Sequence, residues 1–298
     1  MMSEATIHLK IADFIFQLFV PNNVLFSLDC GFEGYVTEGR AEIGDGEPVD
    51  LTIYCHVGCS NAPKIWGGEI YSAKNDGIAL WKIFKTHEGI CIHVNDSEEI
   101  SRLQHIAFYQ EEKQEWNIYS DLNESQTLES LRYPMLPIIL YYLTTQTSSL
   151  LVHASGVFDG KHGRLFSGFS GVGKSTMAGL WQDSGAKIIN DDRLMLRKID
   201  GRWWMFNTPM YYSDSPKKAP LDFIYLPFHQ VKNTYERSNG LEMSMRFMAH
   251  CIQHGYNSSH VQRHLDNVLN LSKEMPIARL GVVPNMDVLT FIKDHEQA

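Results

Sequence analysis

Eight residues constrain this chain more than any others: Gly168-Phe169-Ser170-Gly171-Val172-Gly173-Lys174-Ser175 fits the spacing GxxxxGK[ST]. The run Arg164-Leu165-Phe166-Ser167 before it reads as a strand, and KSTMAGLWQDS after it reads as a helix that stops at Gly185. Glycines in such a turn let successive backbone N–H groups curl around a phosphate, where side chains would block the approach. The helix N-terminus adds its partial positive charge. Lys174 supplies an ammonium for terminal phosphates, and the Ser175 hydroxyl suits a phosphate-bound Mg²⁺. Gly168, Ser170, Gly171, Val172, Gly173, Lys174, Ser175 and Thr176 are therefore the expected nucleotide contacts, with ATP and Mg²⁺ the expected cofactors.

An acidic pair follows closely. Asn190-Asp191-Asp192 stands after AKIIN, which reads as a strand ending in the two aspartates, and only one helix separates the pair from Lys174. Carboxylates at a strand end beside a nucleotide phosphate hold Mg²⁺ or accept a proton from an attacking hydroxyl; a solvated Asp-Asp turn has the same look. His153, alone in the apolar strand Leu150-Leu151-Val152-His153-Ala154-Ser155-Gly156, is placed to orient a catalytic aspartate, and equally suits a hydrogen-bonded core position.

The remainder divides by character. Residues 7–120 hold short β-branched and alternating runs separated by GDGEP, KNDG and NDSEE, with a hairpin expected where QHIAFYQ and EWNIYS flank the polar turn EEKQ. An antiparallel β-rich domain over 1–125 is expected there. Helical spacing of Leu128, Leu131, Met135, Ile138, Ile139 and Tyr142, with Pro134 and Pro137 kinking or starting the helix, leads into an α/β domain over 126–298. In that domain RLMLRKIDGRWWMFN predicts a hairpin around Asp200-Gly201, PLDFIYLPF a buried strand, residues 240–271 helix broken near Gly255, and the end a strand and a helix.

The 298 residues, 44% of them hydrophobic, suffice for two cores, and a formal charge of −9 offers no field for nucleic acid or anionic lipid. The longest apolar stretch, Pro134 to Leu143, is about half a membrane span and holds two prolines. Five scattered cysteines and a start, MMSEATIHLK, without the pattern of a secretory signal make a reduced, cytoplasmic chain with no membrane partner the expectation. Cys55-His56-Val57-Gly58-Cys59 lacks a second cluster to complete a zinc site. His250, His254, His260 and His264 form two i,i+4 pairs without an acidic partner, which favours a solvated or subunit-contact helix over a metal site. Tyr211 to Lys218 reads as a polar loop, and Arg193 as a balance for the aspartates.

Taken together, LLVHASGV, LFSGFSGVGKST and GAKIINDDR resemble the catalytic core of HPr kinase/phosphorylase and its relatives, whose fold is similar to that of phosphoenolpyruvate carboxykinase. The resemblance covers residues 150–198 closely and the following segments loosely; those later segments resemble the shorter HPr-kinase-like proteins of bacterial peptide-modification clusters. It implies an α/β P-loop kinase domain carrying an N-terminal β-rich domain. It implies Asp191 as general base, His153 as its hydrogen-bonded partner, Asp192 near Mg²⁺, and Lys174 and Ser175 in their usual roles. The family's hexamers imply a homo-oligomer.

Asn190 stands where the family has alanine, Thr176 where its kinases commonly have glutamate, and the long segment serving the reverse phosphorolysis is absent. The implied activity is an ATP/Mg²⁺-dependent transfer of phosphate to a hydroxyl of a protein, a peptide or a small molecule. A nucleotide-binding regulatory or assembly module with decayed catalysis stays open beside it. Carboxykinase chemistry ranks last, for want of the basic and metal-binding side chains it needs.

Overall fold

The structure is a computed structural model that describes residues 4–37, 48–64, 67–75, 78–95, 104–238, 240–252, 254–275 and 277–297. The expected turns at GDGEP, KNDG and NDSEE lie largely outside these residues. The chain divides into two compact units, one comprising Met1–Leu140 with Pro209–Pro216 and the other Tyr141–Thr208 with Lys217–Ala298.

The first unit carries β1 (Glu4–Ile11), β2 (Phe14–Pro21), β3 (Leu25–Phe26), β4 (Val36–Thr37), β5 (Leu51–Val57), β6 (Glu69–Asn75), β7 (Ile78–Lys85), β8 (Ile90–Val94), β9 (His105–Gln110), β10 (Glu115–Ser120) and β11 (Thr127–Leu128). Among the described residues nine of these make one sheet, in the order β4-β1-β2-β5-β10-β9-β8-β7-β6. Strict alternation in β9 and β10 buries one face and wets the other, and the expected hairpin joins them antiparallel. The sheet as a whole is not antiparallel, because β5 runs parallel to both β2 and β10. Those pairings join distant segments, which local patterning does not encode.

The second unit takes up the chain within α1 (Met135–Gln146), a helix apolar and buried on nearly every side. It continues through β12 (Ser149–Phe158), β13 (Gly163–Ser167), α2 (Lys174–Asp183), β14 (Lys187–Ile199), β15 (Arg202–Asn207), β16 (Lys218–Pro220), β17 (Phe223–His229), β18 (Thr234–Ser238), α3 (Leu241–Met248), α4 (Ser258–Glu274), β19 (Ile277–Val282) and α5 (Asp287–Glu296). Among the described residues its sheet has eight strands in the order β16-β15-β14-β12-β13-β17-β19-β18, with β13, β17 and β19 parallel.

Both faces of this sheet are covered. Leu165, Ile224 and Ile277 face a core shared with Met243 and Phe247 of α3 and Val268 and Leu271 of α4. Their neighbours Phe166, Tyr225 and Ala278 face the opposite core, with Met177 and Trp181 of α2 and Leu289 and Ile292 of α5. The period of two along each strand feeds two cores at once, so these strands read as continuous apolar runs. The protein is a mixed α/β chain, and no helix among its described residues is long and apolar enough to cross a membrane.

Candidate functional site

The glycine-rich segment is the turn between β13, at the centre of the sheet, and α2. Gly171 and Gly173 have φ of +81° and +98°, a region that side chains disfavour, and Gly173 is the N-cap of α2. Met177, Ala178 and Trp181 anchor the helix on the sheet, and Gly185, at φ +94°, ends it. A Cβ on Gly168 would lie 2.7 Å from Val172 Cγ2, so the turn closes tightly there. Ser170, Ser175 and Thr176 are exposed, and Val172 is half-buried.

Lys174 is only 8% exposed. Its ammonium donates to the carbonyls of Gly168 and Phe169 at 2.9 and 3.0 Å. Burial lowers its proton affinity, while the charges of Asp191 and Asp192 raise it. The lysine and both aspartates therefore share one electrostatic neighbourhood.

The aspartates do not end a strand. β14 runs through Asn190-Asp191-Asp192 to Ile199, paired with β12 from Lys187 to Arg197 across one register shift. Asn190 makes this possible: its buried side-chain oxygen accepts the N–H groups of Asp192 and Arg193 at 2.8 and 3.1 Å, so a polar triplet is tolerated inside the sheet. The register sets Ser155 opposite Asp191 and Ala154 opposite Asp192.

His153 meets Asp192 and not Asp191, contrary to the expectation. Its Nδ1 lies 3.4 Å from Asp192 Oδ1, while Arg193 Nε donates to Asp192 Oδ2 at 2.8 Å. Burial alone would raise the Asp192 pKa, but the hydrogen bonds and charges of His153 and Arg193 hold it down at about 2. Both oxygens of Asp192, the expected metal neighbour, are thus engaged by N–H donors. Asp191 is exposed, and the buried Ser155 hydroxyl donates to its Oδ1. The strand pairing sets His153 opposite Arg193, next to Asp192, and Ser155 opposite Asp191.

Three neighbours were not among the site residues expected from the sequence. Ser155 sits two positions beyond His153, where the period of a strand returns to the same face. His229, at the end of β17, donates from Nε2 to the Gly171 carbonyl at 3.0 Å. His250, just after α3, accepts the His153 N–H at its carbonyl and packs its ring edge-on against Phe169 at 4.6 Å. Burial and the charges of Lys174 and His153 lower its pKa. For Ser155 the signal was strand alternation; for the two histidines it was long-range topology.

The other histidines do not form a solvated face. His254, His260 and His264 are buried, and their rings surround Tyr141 at 4.3, 6.2 and 5.5 Å. Among the described residues no group of three or more His, Cys, Asp or Glu is arranged to hold a metal. Mg²⁺ needs no such group, since it is usually held by one or two oxygen side chains together with substrate phosphates.

No family model matches the chain, and no curated protein matches it. Among solved structures it is similar to the HPr(Ser) kinase/phosphatase from Coxiella burnetii, at a TM-score of 0.30 and 11% identity, covering 49% of this chain and 96% of that one.

Proposed function

We propose that the protein is a phosphotransferase that moves the terminal phosphoryl group of MgATP to the hydroxyl of a serine or threonine in a protein or peptide. The observation that carries the reading is Lys174, a buried ammonium at the start of a helix, capped by a glycine turn and lying in the field of two carboxylates. On nucleotide entry the ammonium exchanges two loop carbonyls for phosphate oxygens, and the exposed N-terminus of α2 adds its dipole. Asp191 is exposed and is not held between His153 and Arg193 as Asp192 is, so it takes the acceptor's proton as that oxygen bonds to phosphorus and the bond to the ADP oxygen breaks.

Asp192 stays anionic between His153 and Arg193 and steadies both. Ser175 would hold Mg²⁺ with the phosphates, and Asp192 would join it once His153 or Arg193 releases an oxygen. The ion supplies neutralisation of charge on the transferring group.

The test is transfer of label from γ-labelled ATP into a lysate of the source cell. Lys174→Ala is expected to lower the rate by at least about 10²-fold, the usual scale for losing one charge-stabilising donor. Asp191→Asn is expected to bind MgATP normally and to transfer nothing. Undiminished transfer by Lys174→Ala would sink the proposal. Tight nucleotide binding without any labelled product would favour the regulatory module, the reading that Thr176 in the first turn of α2 keeps in view.

A further inference from the structure

A cleft of about 560 Å³ opens beside the glycine turn, within the roughly 300–1,000 Å³ span of small-ligand sites. Ser167, Gly168, Phe169 and Val172 border it, so its mouth is the turn itself. Its far walls come from the end of β17 and from the outer face of α3. Neither Asp191 nor Asp192 lines it. The reason is topological: β14, which carries them, lies beyond β12 on one side of β13, whereas β17 adjoins β13 on the other.

A nucleotide has two ends. With its phosphates on the turn and its transferring end toward Asp191, its nucleoside end must leave on the β17 side. We infer that this cleft seats the nucleobase of the phosphoryl donor and holds it by stacking, with little discrimination between bases. The inference rests on the phosphotransferase reading and deepens it.

The chemistry of the walls supports stacking. Phe169 and Met245 are 68% and 48% exposed, large apolar surfaces that protrude at the cleft rather than pack in the core. Phe228 carries the Arg279 guanidinium 4.5 Å above its ring, a planar cationic surface of the kind that lies flat on a base. The hydrogen-bonding side chains of the walls are largely paired already, among them Glu242, which also lines the cleft, while the His250 ring packs edge-on against Phe169. Arg246 is bound to Glu242 at 3.0 and 2.9 Å, Arg279 to Glu236 at 3.3 Å, and the Ser167 hydroxyl to the His153 carbonyl at 3.3 Å. A base therefore meets π faces and apolar groups before it meets a donor or acceptor code.

The test measures dissociation constants of the full chain for MgATP, MgGTP and Mg-pyrophosphate, the last reaching only the turn. Wild type is expected to bind both nucleotides within about threefold of each other, since a site without dedicated hydrogen bonds discriminates weakly. Ala249→Trp, at an exposed position of the α3 wall, is expected to weaken both nucleotides by about tenfold or more, the scale of one lost base stack, and to leave pyrophosphate within about twofold. Phe169→Ala, a truncation of an exposed ring, is expected to weaken both nucleotides in the same direction. Wild-type nucleotide affinity in both variants would overturn the cleft assignment and leave the phosphotransferase reading standing. A wild-type preference of about 10³-fold for one base would overturn recognition by stacking. Failure of wild type to bind either pyrophosphate or MgATP would overturn the phosphotransferase reading, and the cleft assignment with it.

Discussion

The His229 bond to the Gly171 carbonyl sets the orientation of a peptide plane in the turn. A trans peptide directs its C=O and N–H to opposite sides, so holding the Gly171 oxygen outward turns the Val172 N–H inward. That N–H now makes only a 3.4 Å bond to the Phe169 carbonyl, a contact that a phosphate oxygen readily replaces. His229→Ala is therefore expected to weaken MgATP binding by about 1 kcal/mol, roughly fivefold, and His229→Gln, which retains a donor, to recover part of it. Titration calorimetry of the two variants checks this, and equal losses in both would show that the ring packs rather than donates. The glycines and Lys174 were legible because a local motif carries its own geometry. The partner of His153 was not, since the long-range pairing of β12 with β14, which sets His153 opposite Arg193, is not encoded locally.

At the scale of elements, the turn is braced from behind. Arg164 of β13 is 1% exposed, bound twice to Glu296 of α5 and once to Asp159, and lies 4.1 Å over the Trp181 ring of α2. One guanidinium thus joins the strand before the turn, the helix after it and the last helix of the chain. Glu296→Gln leaves a buried charge under-compensated and is expected to lower stability by about 3 kcal/mol in urea unfolding. Arg164→Met with Glu296→Leu removes both charges and is expected to cost much less.

Elements governed by short range agree with the sequence: Asp200 and Gly201, at φ of +49° and +79°, make the expected two-residue hairpin between β14 and β15. The Asn-Asp-Asp triplet misled because polar residues in a row imitate a turn, whereas here they pair with β12 and the Asn190 side chain takes up two of the N–H groups that follow. The buried histidines misled for the mirror reason: residues of polar type packed on Tyr141 read as a wetted face.

For the molecule as a whole, buried histidines set the response to acid, those on Tyr141 together with His105 of β9, which is fully buried. Burial holds His105 and His264 at about 4 and His254 at about 3, the last two also feeling neighbouring histidines. Their folded-state values lie below the ordinary 6.5, so the unfolded chain binds more protons and stability falls as pH falls. The contribution is complete above about pH 6.5 and drains away toward pH 3–4. At pH 5 each such group costs about 2 kcal/mol relative to pH 7.5, as an upper figure. Asp192 and Asp159, both held at about 2, add losses only below pH 4. Urea midpoints are expected to drop clearly between pH 7.5 and 5.0, and a flat profile would contradict the burial of these rings.

The polypeptide passes between its two compact halves three times, since Pro209–Pro216 belongs with Met1–Leu140 although it lies deep inside the other half's sequence. The return is intimate: a methyl on Gly31 would stand 1.7 Å from the Met210 oxygen. A gene cut after codon 140 would therefore yield a front half missing one of its own walls. Such interlacing ties the heredity of the halves together, so that neither is free to be shuffled onto another partner as a simple cassette.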